Sequence, residues 1–148
     1  MRLLDTAADT AAFGRRLAGV LRAGDLVVLT GPLGAGKTVL TQGIAAGLGV
    51  RGPVVSPTFV IARLHRGGRL PLMHVDAYRL CSLEEVDDLD LDVAVDEAVT
   101  VVEWGAGLVE RLTGQWLEIR LDRGPDADGR TVELLPVGGD WEGRTSGL

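Results

Sequence analysis

The eight residues from Gly31 to Thr38 constrain this chain more than any others. They read Gly31-Pro32-Leu33-Gly34-Ala35-Gly36-Lys37-Thr38, a G-x-x-x-x-G-K-[ST] pattern set between the apolar run Leu26 to Leu29 and a helical-period segment, Thr38 to Leu48. A buried strand, a glycine turn and a helix in that order belong to α/β folds with a parallel sheet. The glycines let successive amide groups face one phosphate cluster, and the helix N-terminus adds partial positive charge. In this pattern Lys37 reaches the β- and γ-phosphates and the Thr38 hydroxyl ligates Mg2+. The sequence therefore predicts a loop for ATP or GTP with Mg2+. A chance match in a chain with 21 glycines is the competing reading, but chance gives no reason for a strand before the loop and a helix after it. Lysine usage points the same way: Lys37 is the one lysine among 15 basic residues, placed where a compact ammonium suits phosphate better than a planar guanidinium.

The rest of the chain falls into short elements around this loop. Ala8, Ala11, Ala12, Leu17 and Leu21 recur at helical spacing between Ala7 and Leu21, with Gly24 as a stop, so an amphipathic helix is expected there. Val54 and Val55 open a short strand. Phe59 to Leu64 and Leu70 to Val75 flank Arg66-Gly67-Gly68-Arg69 and read as an antiparallel hairpin. Residues 83–95, rich in Asp and Glu, read as one or two short helices with a solvated face. Val99 to Val102 is a second fully apolar strand, and Trp116 to Leu121 with Thr131 to Leu135 make a second hairpin. The expectation is a three-layer α/β domain of P-loop NTPase type, with a mixed sheet whose parallel core is extended by antiparallel hairpins. It spans residues 1–137, and the glycines after Gly138 suggest a flexible tail over 138–148.

Mg2+ in such a site takes one or two carboxylates besides phosphate oxygens. Two acids end apolar strands: Asp76 after Leu72 to Val75, and Glu103 after Val99 to Val102. Either is a candidate, the bland alternative being a strand-end residue capping a loop. His74 reads as a packing residue on its strand, and with His65 it makes no metal-ligand cluster. Trp104 either fills the core edge or anchors a contact.

Composition excludes several classes. At 148 residues and 46% hydrophobic, the chain suits one core. No apolar stretch approaches the roughly 18 residues of a membrane span, and Met1 to Asp5 does not read as a secretory leader, so a cytoplasmic location is expected. The lone Cys81 has no partner for an internal disulfide. A net charge of −6 argues against unaided nucleic-acid binding, which draws on Lys and Arg at phosphates.

Four blocks in order resemble the TsaE family, the bacterial ATPases of the tRNA threonylcarbamoyladenosine pathway. They are Thr30 to Thr38, Ser56-Pro57-Thr58-Phe59, His74-Val75-Asp76-Ala77-Tyr78-Arg79-Leu80 and Val102-Glu103-Trp104. The first would suit any P-loop protein; the other three at these separations are specific. Asp9, Thr10, Gly14, Leu17 and Ala18 resemble the family's first helix, and Gly129-Arg130 its late turn. The resemblance implies that Lys37, Asp76 and Glu103 are catalytic, with Thr38 and Glu103 on the metal and Asp76 ordering water or the metal shell. It implies that Gly34, Ala35, Gly36, Lys37, Thr38, Val39 and Arg130 surround the nucleotide, with Gly129 beside it. Ser56, Thr58, Tyr78, Arg79 and Trp104 would form a nucleotide-sensing, partner-facing set. The implied function is ATP hydrolysis, slow alone and stimulated by a partner complex of TsaB and TsaD that modifies the adenosine beside the anticodon, with tRNA met mainly through that complex. Pro32 departs from the family's usual acid, and Val39 from a common hydroxyl. A small-molecule kinase, which needs a second pocket and a basic lid, and a nucleotide-gated binding module without hydrolysis are the alternatives.

Overall fold

The structure, a computed structural model, describes residues 2–32, 35–50, 62–76, 97–103, 114–124 and 129–148, with the backbone alone for 62, 63 and 76. Within them the chain runs β1 (Arg2–Leu4), α1 (Ala7–Ala18), β2 (Leu26–Thr30), α2 (Lys37–Leu48), β3 (Ala62–His65), β4 (Leu72–Asp76), β5 (Val99–Glu103), β6 (Trp116–Arg123), β7 (Arg130–Val137) and α3 (Trp141–Thr145). The strands form one sheet in the order β1-β7-β6-β2-β5-β4-β3. Its centre is parallel: β2 pairs with β5 and β6, and β5 with β4. The flanks are antiparallel, through β3–β4, β6–β7 and β1–β7.

Sequence and architecture agree for a physical reason. Leu26 to Leu29 and Val99 to Val102 are continuously apolar, and every one of these residues but Thr100 is an apolar member of the core; Thr100 is itself fully buried. Strands covered on both faces take that composition, not an alternating one. Both expected hairpins are present, and the second is longer than expected, with Trp116 facing Val137 and Arg123 facing Arg130. The short strand expected at Val54 and Val55 and the acidic helices expected over 83–95 lie outside the described residues.

Helix α1 begins at Thr6, whose hydroxyl accepts from the Asp9 amide at 3.1 Å, a side-chain cap that satisfies one open helix donor. Its buried face is Thr10, Phe13, Gly14, Leu17 and Ala18, not the alanine-centred face the spacing suggested. Backbone proximity explains the difference. A Cβ on Gly14 would lie 2.6 Å from the Leu40 carbonyl oxygen, and one on Gly43 would lie 2.3 Å from that of Ala11. The two helices touch through glycine, and the larger Phe13, Leu17, Leu40 and Ile44 fill the core beside that contact.

Two features escaped the sequence. The three residues of β1 pair with β7, Arg2 opposite Val132 and Leu4 opposite Arg130. The segment expected as a flexible tail carries α3 instead: Trp141 is 2% exposed and belongs to the main core. Arg144 donates to the Val20 carbonyl and forms an ion pair with Asp25. Its guanidinium also stacks 4.2 Å from the Trp141 ring centre. One aromatic anchor and one buried ion pair hold a segment whose glycine content had suggested looseness. Among the described residues no helix is long and apolar enough to cross a membrane.

Candidate nucleotide site

The loop between β2 and α2 starts with a backbone conformation that admits only glycine. Gly31 has φ +142°, and a Cβ there would sit 2.1 Å from the Leu121 carbonyl oxygen of β6. Gly36, at φ +98°, takes the N-cap position of α2 with no side-chain cap, so the first amides of the helix keep their positive end toward the loop. A Cβ on Gly36 would meet nothing nearer than the Arg130 side chain at 3.6 Å.

Lys37 opens α2 and is 6% exposed. Its ammonium donates to the carbonyls of Gly31 at 2.8 Å and Pro32 at 3.0 Å, which draws the loop around the side chain. Pro32 lacks an amide, yet its carbonyl also accepts from the Ala35 amide at 3.1 Å; its place in the loop uses an acceptor that proline retains. Thr38 and Val39 follow, half-buried. Leu33 and Gly34 lie outside the described residues.

Ala7 and Thr10 of α1, Gly36 and Val39 of the loop and helix, and Arg130 of β7 line a small hollow. Arg130 is held there by the Gly129 carbonyl, to which its Nη1 donates at 2.7 Å. Spacing alone gave no sign of Ala7 and Thr10. They reach the loop because the glycine contact brings α1 against α2.

The acids stand at the same edge of the sheet. In the β4–β5 register Asp76 lies opposite Glu103, and in the β2–β5 register Glu103 lies opposite Leu29, two residues before the loop. This is the carboxyl end of the parallel strands, where open α/β sheets place their ligands. Glu103 is 4% exposed, and its Oε1 is buried without a hydrogen-bond partner. His74, fully buried, sets its Nε2 3.6 Å from that oxygen. A buried carboxylate at this edge, beside the phosphate loop, suits a divalent cation. Among the described residues no group of three or more His, Cys, Asp or Glu side chains forms a metal cage, so a cation here would take one or two carboxylates and complete its shell with phosphate and water, as Mg2+ does. Of the expected partner-facing set, Ser56, Thr58, Tyr78, Arg79 and Trp104 all lie outside the described residues.

Several known proteins resemble this chain along most of its length. The family model described as threonylcarbamoyl adenosine biosynthesis protein TsaE matches residues 4–132, a span that ends inside β7 and leaves out α3. The tRNA threonylcarbamoyladenosine biosynthesis protein TsaE of Streptomyces coelicolor is 59% identical over 134 residues, 86% of this chain and 90% of that protein. Its counterpart in Mycobacterium tuberculosis is 53% identical, covering 82% of this chain and 78% of that one. The protein of the same name in Bacillus subtilis is 39% identical, covering 90% and 84%. The crystal structure of Bacillus subtilis YdiB matches with a TM-score of 0.78 at 33% identity, over 97% of this chain and 88% of that one.

Proposed function

The chain belongs to the TsaE family of tRNA threonylcarbamoyladenosine biosynthesis proteins, and from that premise we propose that it binds and hydrolyses ATP with Mg2+ in support of a TsaB–TsaD complex. The P-loop NTPase-like fold implies nucleotide binding. The observation that carries the finer reading is the register that sets the buried Glu103 carboxylate beside the β2 end from which the Lys37 loop departs.

In this reading Lys37 and the first amides of α2 bind the β- and γ-phosphates, with Gly34, Ala35, Gly36 and Val39 lining their path and Arg130 bordering the nucleotide. The Thr38 hydroxyl and Glu103 would hold Mg2+, which when bound would supply positive charge to the phosphates. Asp76 orients the attacking water, whose oxygen bonds to the γ-phosphorus as the bridging bond to the β-phosphate breaks, giving ADP and inorganic phosphate. Most of the acceleration comes from positioned charge and not from covalent chemistry.

Hydrolysis alone is slow in this reading, since closure against water depends on a partner. Ser56, Thr58, Tyr78, Arg79 and Trp104 are the proposed partner-facing residues. The net charge of −6 suits a protein partner better than direct tRNA contact, and the cytoplasm is the compartment that fits. Phosphate release is measured with TsaB and TsaD absent, present, and present with Trp104→Ala. Stimulation that the variant loses supports a partner-gated ATPase. Full activity alone, no response to the partners and transfer of phosphate to an added metabolite would replace it with a kinase.

A further inference from the structure

His74 occupies the middle of β4, fully buried, with neither ring nitrogen hydrogen-bonded. A packing role alone accounts poorly for it, because an imidazole stripped of water without a partner loses stability that a leucine of similar size would not. Among the described residues it stands beside Glu103, whose Oε1 is also buried and unbonded, 3.6 Å from Nε2. That separation is too long for a hydrogen bond. It is short enough that a small rotation of either side chain closes it and satisfies both orphaned atoms together.

We propose that His74 is a positioning residue for Glu103: its Nε2–H donates to Oε1, fixing the carboxylate so that its other oxygen faces the cation at the phosphates. The inference rests on the reading of Glu103 as the metal-side acid. Register supports it. His74 lies opposite Val101 in the β4–β5 ladder, so Glu103 is the next residue of β5 on the same face of the sheet. A neutral imidazole carries one N–H, and the tautomer that serves Glu103 leaves Nδ1 as the acceptor. Partners behind a metal-binding side chain fix its orientation, and their loss commonly weakens metal affinity by about 10–100-fold.

The test measures binding of a fluorescent N-methylanthraniloyl ATP to the full chain, first with EDTA and then across a Mg2+ titration, alongside turnover. For His74→Leu the expected result is metal-free affinity within about twofold of wild type, with the Mg2+ midpoint raised about tenfold or more. His74→Gln, which restores an N–H donor near Nε2, should recover most of that shift. In a Glu103→Gln background, His74→Leu should add little. An unchanged Mg2+ midpoint in His74→Leu, equal loss of metal-free binding, or an undiminished effect in the Glu103→Gln background would each overturn the proposal. Ring 15N spectra of the wild-type protein give a readout independent of variant folding: the Nε2–H tautomer is expected, and an Nδ1–H tautomer overturns the assignment. A wild-type protein that binds the nucleotide identically with and without Mg2+ refutes the metal-side reading of Glu103, an outcome distinct from failure of the His74 variants alone.

Discussion

Replacing Gly43 with alanine tests whether the glycine contact between α1 and α2 organises this domain. The added Cβ would lie 2.3 Å from the Ala11 carbonyl oxygen and 3.0 Å from the Ala11 carbonyl carbon and Cα. Comfortable contact begins near ~3.5 Å, so the helices must separate locally by about 1 Å. Backbone is what it meets, and no rotamer change relieves the clash. Alanine returns about 0.8–1.0 kcal/mol of helix propensity. Overpacking costs about 1–3 kcal/mol, and separation also weakens the packing of Phe13, Leu17, Leu40 and Ile44. The balance is a net loss of about 1–2 kcal/mol. Urea denaturation followed by circular dichroism measures it. The control is Gly143→Ala in α3, where an added Cβ meets nothing within 4 Å; there propensity acts alone, and stability should hold or rise. Separation also moves Ala7 and Thr10 away from Gly36 and Val39, so nucleotide affinity should fall with stability. A Gly43→Ala protein as stable as wild type, or more so, would refute the reasoning.

Other outcomes follow from the same geometry. Lys37→Ala removes the ammonium that bridges the Gly31 and Pro32 carbonyls and should weaken ATP binding by tenfold or more (about 1.4 kcal/mol or above), read by titration calorimetry; unchanged affinity in a folded variant would remove the nucleotide reading. Glu103→Gln should lower single-turnover hydrolysis by about 10²-fold while sparing most nucleotide affinity, and equal loss of both would assign it to binding. Arg144→Met removes the ion pair with Asp25, whose Oδ2 keeps only the Arg22 amide, and takes the Arg144 donor from the Val20 carbonyl; it should cost about 1–3 kcal/mol in urea, and no loss would mean that α3 is held by Trp141 alone. Desolvation works to raise the Asp140 carboxyl, but Arg144, a backbone hydrogen bond at Asp140 itself and Arg22 together outweigh it and hold the group below its usual value. A depressed folded value gives stability that is present above the unfolded pKa of about 3.9 and is lost as pH falls through the folded one. Asp140→Asn should therefore flatten the acid side of the stability profile, and an unchanged slope there would discount the contact.

Much of the fold was legible because its signals are local. The Gly31 to Thr38 pattern is read from eight consecutive residues, and positive φ angles demand glycine at Gly31 and Gly36. The central strands announced themselves by unbroken apolar runs, since burial on both faces leaves no polar alternation. The hairpins joined neighbouring segments across short turns. What only the tertiary structure decided depends on partners far along the chain. Three residues at β1 carry no periodicity, and their strand exists because β7, some 130 residues later, offers an edge. The C-terminal glycines predict looseness until Trp141 finds the core and Arg144 finds Asp25. The buried face of α1 follows from how closely Gly14 and Gly43 let two backbones approach, a distance that no pattern of apolar letters records. His74 and Glu103, 29 positions apart, become neighbours only through the β4–β5 register. Local spacing determines which backbone turns and strands can form; which buried polar groups meet is set by the register and packing of segments whose encounter no single segment encodes.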